Sequence, residues 1–251
     1  MTVQLFATCL VESWRPSCAI AAEQLLQHVG VRVHRLLRVG CCGQVAFNAG
    51  DWDTARKMAI AWLHAADPAM PVVMPSGSCA ATVRHNYALL LSRSRYETRW
   101  HTIANQTFEL SQFLVEELQA ELHGFRSENE VVTYHPSCHL LRMLQVQDAP
   151  VQLIRQVQGV QYVPLPEAEV CCGFGGLFAV HLPQLSGALL MRKLEAIEQT
   201  GASTVLGCDW SCLMHLAGGL HRTGMPVRAM HLAEWLIEKR IANCEQRAEK
   251  Q

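Results

Sequence analysis

The chain has 251 residues, half of them hydrophobic and 17% charged, with 21 Lys and Arg against 22 Asp and Glu for a formal net charge of −1. That balance gives no electrostatic grip on nucleic acid or on an anionic membrane surface. No apolar run nears the about 20 residues needed to cross a bilayer. Residues 1–10 lack the basic start and apolar stretch of a secretory signal, so a cytoplasmic location is expected.

In chain order, residues 3–8 read as a short apolar strand ending at Cys9. Ser17 is placed to cap a helix that turns Ile20, Leu25, Leu26 and Val29 inward and stops at Gly30. Residues 31–37 form a second strand running into Gly40-Cys41-Cys42-Gly43. Asp51 caps the next helix, with Ala55, Met58, Ala59, Trp62 and Leu63 on one face. Residues 72–74 are a buried strand leading to Ser76-Gly77-Ser78-Cys79. Two helices are expected after it, over 80–91 and over 100–122, the second carrying an ordinary core stripe of Phe108, Phe113, Leu114 and Leu118.

The polar stretch 123–130 is the expected boundary, dividing the chain into halves 1–126 and 127–251. A strand over 131–134 leads to His135-Pro136-Ser137-Cys138-His139. A helix over 151–157 and a strand over 160–165 then lead to Cys171-Cys172-Gly173. The remaining expectations are helix 185–197, strand 204–206, a helix opening between Cys208 and Cys212, strand 227–230 and helix 232–241. The tail 243–251 is polar and reads as frayed. Strands alternating with helices imply an α/β fold of two similar Rossmann-like halves with parallel sheets.

Internal duplication is visible in the cysteines. From Cys9 to Cys41 is 32 positions and from Cys138 to Cys171 is 33; from Cys42 to Cys79 is 37 and from Cys172 to Cys212 is 40. Leu110–Glu116 also resembles Leu232–Glu238. Eight cysteines therefore fall into two sets, Cys9, Cys41, Cys42, Cys79 and Cys138, Cys171, Cys172, Cys212, each following strand ends where ligands of open α/β sheets collect. The halves are expected to pack with these strand ends converging about a pseudo-two-fold. Four thiolates suit zinc or an iron–sulfur cluster equally in number. The ligands span most of each half and no Cys-x-x-Cys occurs, which argues against a local zinc finger and against a thiol–disulfide enzyme. There is no Gly-x-Gly-x-x-Gly and hence no proposed nucleotide or flavin, and no catalytic residue is marked.

Cys-Cys-Gly-Gln at 41–44, Ser-Gly-Ser-Cys at 76–79, His-Pro-Ser-Cys-His at 135–139, Cys-Cys-Gly-Phe-Gly-Gly at 171–176 and Ser-Cys-Leu-Met-His at 211–215 resemble the cysteine-rich CCG domain. That domain occurs in heterodisulfide reductase and in iron–sulfur subunits of glycolate oxidase and anaerobic glycerol-3-phosphate dehydrogenase. The resemblance is strongest to the small iron–sulfur subunit of the bacterial lactate-utilisation complex. It implies one or two [4Fe-4S] clusters on the eight cysteines, electron transfer during lactate oxidation, and the other lactate-utilisation subunits as partners. The chain lacks the Cys-x-x-Cys-x-x-Cys-x-x-x-Cys-Pro run of ferredoxin domains, so electrons would pass to a separate ferredoxin-like partner. Where the wider family often adds a fifth cysteine this chain has Ser76 and Asp209, which leaves the cluster type open.

His135, His139 and His215 flank these cysteines as candidates to bond sulfur or to orient a substrate carboxylate; the plainer reading is polar or part-exposed surroundings. That plainer reading is stronger for His181 and His231. Cys18 is expected to be a packed thiol and Cys244 a surface-helix residue. Cys208 lies one residue before the fifth-ligand position and is expected to point away from the site, because one residue reverses direction along a strand and turns it about 100° on a helix.

Overall fold

The computed structural model describes residues 1–37 and 39–240. In the first half the strands are β1 (Thr2–Leu5), β2 (Arg32–Arg35), β3 (Val72–Met74) and β4 (Thr107–Glu109). In the second they are β5 (Arg126–Tyr134), β6 (Gln158–Tyr162), β7 (Thr204–Gly207) and β8 (Arg228–His231). They build two sheets of the same order, β2-β1-β3-β4 and β6-β5-β7-β8. Every neighbouring pair is parallel. Parallel strands need crossovers that cover both faces, and the central strands accordingly bury Val3, Leu5, Val72, Val73, Val205 and Leu206 completely.

The crossovers of the first half are α1 (Cys9–Trp14), α2 (Pro16–His28), α3 (Gln44–Asn48), α4 (Trp52–Ala65), α5 (Gly77–Ala81), α6 (Tyr87–Leu91) and α7 (Glu97–Ala104), with α8 (Leu110–Gln112) after β4. Those of the second are α9 (Ala149–Arg155), α10 (Leu177–His181), α11 (Pro183–Gln199) and α12 (Trp210–Thr223), with α13 (Leu232–Lys239) after β8. Wide π turns occupy Thr82–Asn86, Phe113–Glu117 and His139–Met143. The Asp51 carboxylate caps α4 as expected, accepting from the Thr54 N–H at 3.1 Å, and that helix buries Ala55, Ala59, Trp62 and Leu63.

Several expectations are corrected. Pro16, not a residue after Ser17, opens α2, since proline at a first helical position loses no hydrogen bond; the Ser17 hydroxyl instead donates to Glu234 at 2.7 Å. Ile20 is 49% exposed rather than inward, and Cys18, Ala19 and Ala22 take the buried face. The helix expected over 100–122 is two helical pieces separated by β4. Thr107, Phe108 and Glu109 leave the helix because they complete the open edge of β3, pairing with Val72, Val73 and Met74. The strand begins at Arg126, inside the stretch expected to be a boundary loop, and β6 begins two residues earlier than expected and ends at Tyr162. Cys244 and the tail lie outside the described residues.

The halves meet reciprocally. α13 packs on α2 while α8 and the π turn after it pack on α9; α5 packs on the turn His139–Met143 while α12 meets α1. Swapping equivalent elements in this way is what a two-fold relation produces. The contact is close enough that a Cβ on Gly77 would lie 2.8 Å from the Leu140 Cβ, and one continuous core runs through both halves from Val3 to Leu236.

The last strand of each half ends in a buried cap. Glu109 accepts from the N–H groups of Ser111 at 2.8 Å and Gln112 at 3.3 Å. His231 Nδ1 accepts from Ala233 N–H at 3.2 Å, so its Nε2 carries the proton and donates to the Pro75 carbonyl of the other half at 3.1 Å. Burial pushes the Glu109 carboxyl up to about 7. The folded state thus holds this proton more tightly than the unfolded chain, and the stability it confers below the ordinary carboxylate range is lost as pH rises through about 7. Glu109→Gln keeps an acceptor without the charge. Its stability relative to the parent chain, from urea unfolding, is expected to rise between about pH 5 and about pH 8; a constant difference would show that Glu109 does not titrate in this window.

Candidate metal centre

In a sheet of order 2-1-3-4 the chain leaves β1 and β3 in opposite directions, opening a crevice at their carboxyl ends. Cys9 follows β1 and starts α1, while Cys79 follows β3 inside α5. Cys41 and Cys42 come from the turn after β2. The second half repeats this with Cys138 after β5, Cys212 in α12 after β7, and Cys171 and Cys172 after β6. The two crevices open on each other, and all eight cysteines line one shared cleft.

Each set is linked through its own sulfurs. Cys41 neighbours Cys9 and Cys42, and Cys42 lies 3.4 Å from Cys79 sulfur to sulfur. Cys171 likewise neighbours Cys138 and Cys172, and Cys172 neighbours Cys212. In both sets the second cysteine of the tripeptide and the last cysteine are buried, and the other two reach the cleft mouth.

The glycines explain the turn. Gly43 and Gly173 have φ of +86° and +90°, the left-handed region that side chains avoid. There the N–H of Gly43 turns back to Cys41 Sγ at 3.4 Å, and that of Gly173 to Cys171 Sγ at 3.3 Å. Donation from the neighbouring thiols, reinforced by this N–H, holds the Cys41 thiol down to about 3 and the Cys171 thiol down to about 2. The donors shift in the opposite direction: Cys42 and Cys172 are pushed well above the ordinary thiol value, chiefly by their bonds to the preceding sulfur. Thiolate is the form that binds metal, so each half presents one ready thiolate surrounded by three more sulfurs.

Between the sets sit Ser76 and Asp209. Asp209 Oδ2 accepts from Ser78 N–H at 2.8 Å and from the Ser76 hydroxyl at 3.4 Å, while Oδ1 accepts from Ser211 N–H at 3.2 Å. The two residues at the fifth-ligand positions therefore bond each other across the halves and cap α5 and α12. Cys208 is fully buried, 3.9 Å from the Ser111 hydroxyl in a separate small cavity with Glu109 and His231. It faces away from the shared cleft, and burial pushes its thiol up. Cys18 is a packed thiol beside Val11 and Ala19.

The histidines separate. His139 lines the cleft: Gln44 Nε2 of the first half lies 3.1 Å from its Nε2 and donates there, which leaves Nδ1 carrying the proton 3.6 Å from Cys138 Sγ. His135 is buried with both ring nitrogens unpartnered, and one of them lies within 4.8 Å of the Cys172 and Cys212 sulfurs. Burial, with help from the nearby Lys193, depresses its basicity to about 3. His215 sits outside the cleft, 3.4 Å from Ser186 Oγ, and His181 is exposed on α10. Lys193 gave no signal as a motif. Its one clue was position: on α11 it falls four residues after Leu189, on the inward face of the helix.

The orphaned imidazole, the two Gly N–H groups aimed at sulfur and the eight convergent thiols fit thiolate-bound metal groups. The sequence pattern of the cysteine-rich domain family, CCG, matches residues 3–84 and 132–217. The chain belongs to the cysteine-rich CCG domain family. Within it, Lactate utilization protein A of Anoxybacillus flavithermus is 39% identical over 94% of this chain and 99% of its own length. The proteins of the same name from Macrococcus caseolyticus and Geobacillus kaustophilus are 38% and 39% identical, again over 94% of this chain and over 96% and 98% of their own. An aspartate racemase homologue from Pyrococcus horikoshii aligns over 98% of this chain at 10% identity with a TM-score of 0.34, a value from which no shared property follows.

The turn geometry is testable without metal. A Cβ at residue 173 would lie 2.5 Å from the Ser186 carbonyl oxygen, whereas one at 43 would meet the Met58 Cβ at 3.2 Å. Gly43→Ala is expected to cost roughly 1–2 kcal/mol for its left-handed backbone, and Gly173→Ala more, because a backbone oxygen must also shift. Urea midpoints of the two variants check the order.

Proposed function

We propose that the chain is an iron–sulfur electron-transfer subunit of a system that oxidises lactate, or a related 2-hydroxy acid, to the 2-keto acid. The observation that carries this is the meeting of two four-cysteine sets, Cys9, Cys41, Cys42, Cys79 and Cys138, Cys171, Cys172, Cys212, in one cleft, in a chain whose relatives are named for lactate utilisation. One or two clusters of [4Fe-4S] type are the expected cofactor, held by the halves 1–126 and 127–251. Such a group, when bound, supplies one-electron redox chemistry. Oxidation of lactate to pyruvate releases two electrons and two protons, which two one-electron sites match. The cysteines hold the group, Gly43 and Gly173 direct N–H groups at its thiolates, and Asp209 fixes the halves around it. A ferredoxin-like iron–sulfur partner in the cytoplasm takes the electrons onward. No described helix is long and apolar enough to cross a membrane.

Zinc is the second reading, and one distance favours it. The 3.4 Å between Cys42 and Cys79 sulfurs is near the edge of about 3.8 Å that zinc–sulfur bonds of about 2.3 Å give a tetrahedron. Metal and acid-labile sulfide analysis of anaerobically isolated protein separates the two. Iron with sulfide and a broad brown absorption supports the first; stoichiometric zinc in place of iron decides for the second.

Substitution then tests the ligand assignment. Cys212→Ala is expected to lose about half of the bound metal, while Cys208→Ala retains all of it. Equal losses from the two would give the second half a five-cysteine site and overturn the four-plus-four division.

A further inference from the structure

The two halves keep the same cysteines but differ in what stands behind them. Phe6 and His135 are equivalent: each follows the central strand, and each N–H donates to the neighbouring strand, Phe6 to Val73 at 3.0 Å and His135 to Leu206 at 2.8 Å. Each also precedes its cysteine, Cys9 or Cys138, by three residues. Trp62 and Lys193 are equivalent as well. The glycine of each Cys-Cys-Gly turn packs on the same two levels of the following helix, Gly43 on Ala55 and Met58, Gly173 on Ser186 and Leu189. Lys193 is four residues beyond Leu189, as Trp62 is beyond Met58.

In the first half this pair is aromatic and uncharged. Phe6 and Trp62 are fully buried and pack edge to face at 5.8 Å, and Trp62 packs in turn on Tyr87, whose hydroxyl donates to the Cys42 carbonyl at 2.8 Å. In the second half both places are polar and still buried, His135 at 2% exposure and Lys193 at 1%. Lys193 Nζ donates to the carbonyls of Glu167 at 2.7 Å and Ala168 at 3.3 Å, in the segment that enters Cys171-Cys172. His135 has no partner for either nitrogen and faces the Cys172 and Cys212 sulfurs.

We propose that the second half is the higher-potential half, because His135 offers an N–H to the Cys172–Cys212 sulfurs and Lys193 a positive charge beside the segment that carries Cys172. Both stabilise the more negative, reduced form of a thiolate-bound group, as hydrogen bonds to sulfur and local charge do in such sites. Phe6 offers no N–H, and Trp62, whose buried indole N–H has no partner, offers no charge, so the first half holds its electron less firmly. The proposal rests on the iron–sulfur reading above. One electron enters each half, supplied in turnover by the oxidation of the 2-hydroxy acid, and leaves to the ferredoxin-like iron–sulfur partner. His135 and Lys193 are positioning residues, since they act on the group through its sulfurs and their surroundings.

Iron and sulfide are measured first on anaerobic protein, followed by dithionite titration against mediators with EPR and visible absorption. Two reduction steps are expected, the higher lost in Cys212→Ala and the lower in Cys79→Ala. His135→Phe and Lys193→Met, which install apolar residues where the first half has them, are each expected to weaken the higher step about tenfold, a fall of about 59 mV for one electron. The lower step stays in place, and His135→Gln, which retains an N–H, recovers part of the shift. The two substitutions are read separately, with folding followed by circular dichroism, so misfolding of one leaves the other to decide. In the parent chain, histidine labelled with nitrogen-15 is expected to couple magnetically to the higher-potential site. If iron and sulfide are present and the higher step belongs to Cys79, or does not move in either folded variant, the asymmetry is overturned and the iron–sulfur reading stands. Protein that binds only zinc overturns both.

Discussion

The shared cleft depends on one buried carboxylate. Asp209 caps α12 with one oxygen and holds the Ser78 N–H of the other half with the second, at 2.8 Å. Two helix starts, each of which leaves N–H groups without internal partners, are thereby satisfied by a single side chain at the point where the halves touch. The Gly77 N–H adds a bond to the Cys208 carbonyl at 3.2 Å, and the missing Cβ of Gly77 lets Leu140 approach. Because Cys79 and Cys212 sit three residues beyond Ser76 and Asp209, this contact fixes how far apart the two sulfur sets lie. Charge-assisted bonds to a carboxylate are worth more than neutral ones when buried, so a change at Asp209 acts on both halves together.

Duplication preserves geometry here and lets chemistry diverge at matched positions. Ser76 and Asp209 both cap the helix after the third strand of their half; Ser76 reaches across only to Asp209 itself, whereas the aspartate also holds a backbone N–H of the other half, that of Ser78. Glu109 and His231 both cap the helix after the fourth strand; only the histidine donates to the other half. The backbone task is the same in each pair, set by the orphan N–H groups of the helix. The side chain chosen for it decides which half does the bridging, so the interface is asymmetric although the fold is two-fold.

Much of this was legible in the sequence for a stated reason. The cysteine spacings repeat because each set must reach three strand ends of the same sheet, and those distances are fixed by crossover length. Asp51 announced α4 because its cap is local. β4 was not legible from periodicity: Thr107-Phe108-Glu109 sits between helical stretches, and it is a strand because β3 has an open edge. The similarity of Leu110–Glu116 to Leu232–Glu238 held the clue, since a strand was expected before the latter. Asp209's grip on Ser78 spans 131 positions and leaves no trace in local pattern. The orientation of Cys208 was readable, because a one-residue offset from the cap position Asp209 is a local fact.

Lys193 and His135 show how a buried polar pair can be weighed when its apolar alternative is present in the same molecule. Burying a polar group without a partner costs roughly 1–3 kcal/mol, and His135 has two unpartnered nitrogens. A buried lysine is costly as well; burial lowers the basicity of Lys193 to about 8 even with two carbonyls accepting from it. The first half demonstrates that Phe and Trp fill the equivalent places with full burial and an edge-to-face contact, leaving one unpartnered nitrogen, the Trp62 indole N–H, against the two of His135. Packing alone therefore favours the aromatic pair. What the polar pair gains has to come from a neighbour that packing does not count, and the neighbours that His135 faces without a bond are the sulfurs of Cys172 and Cys212.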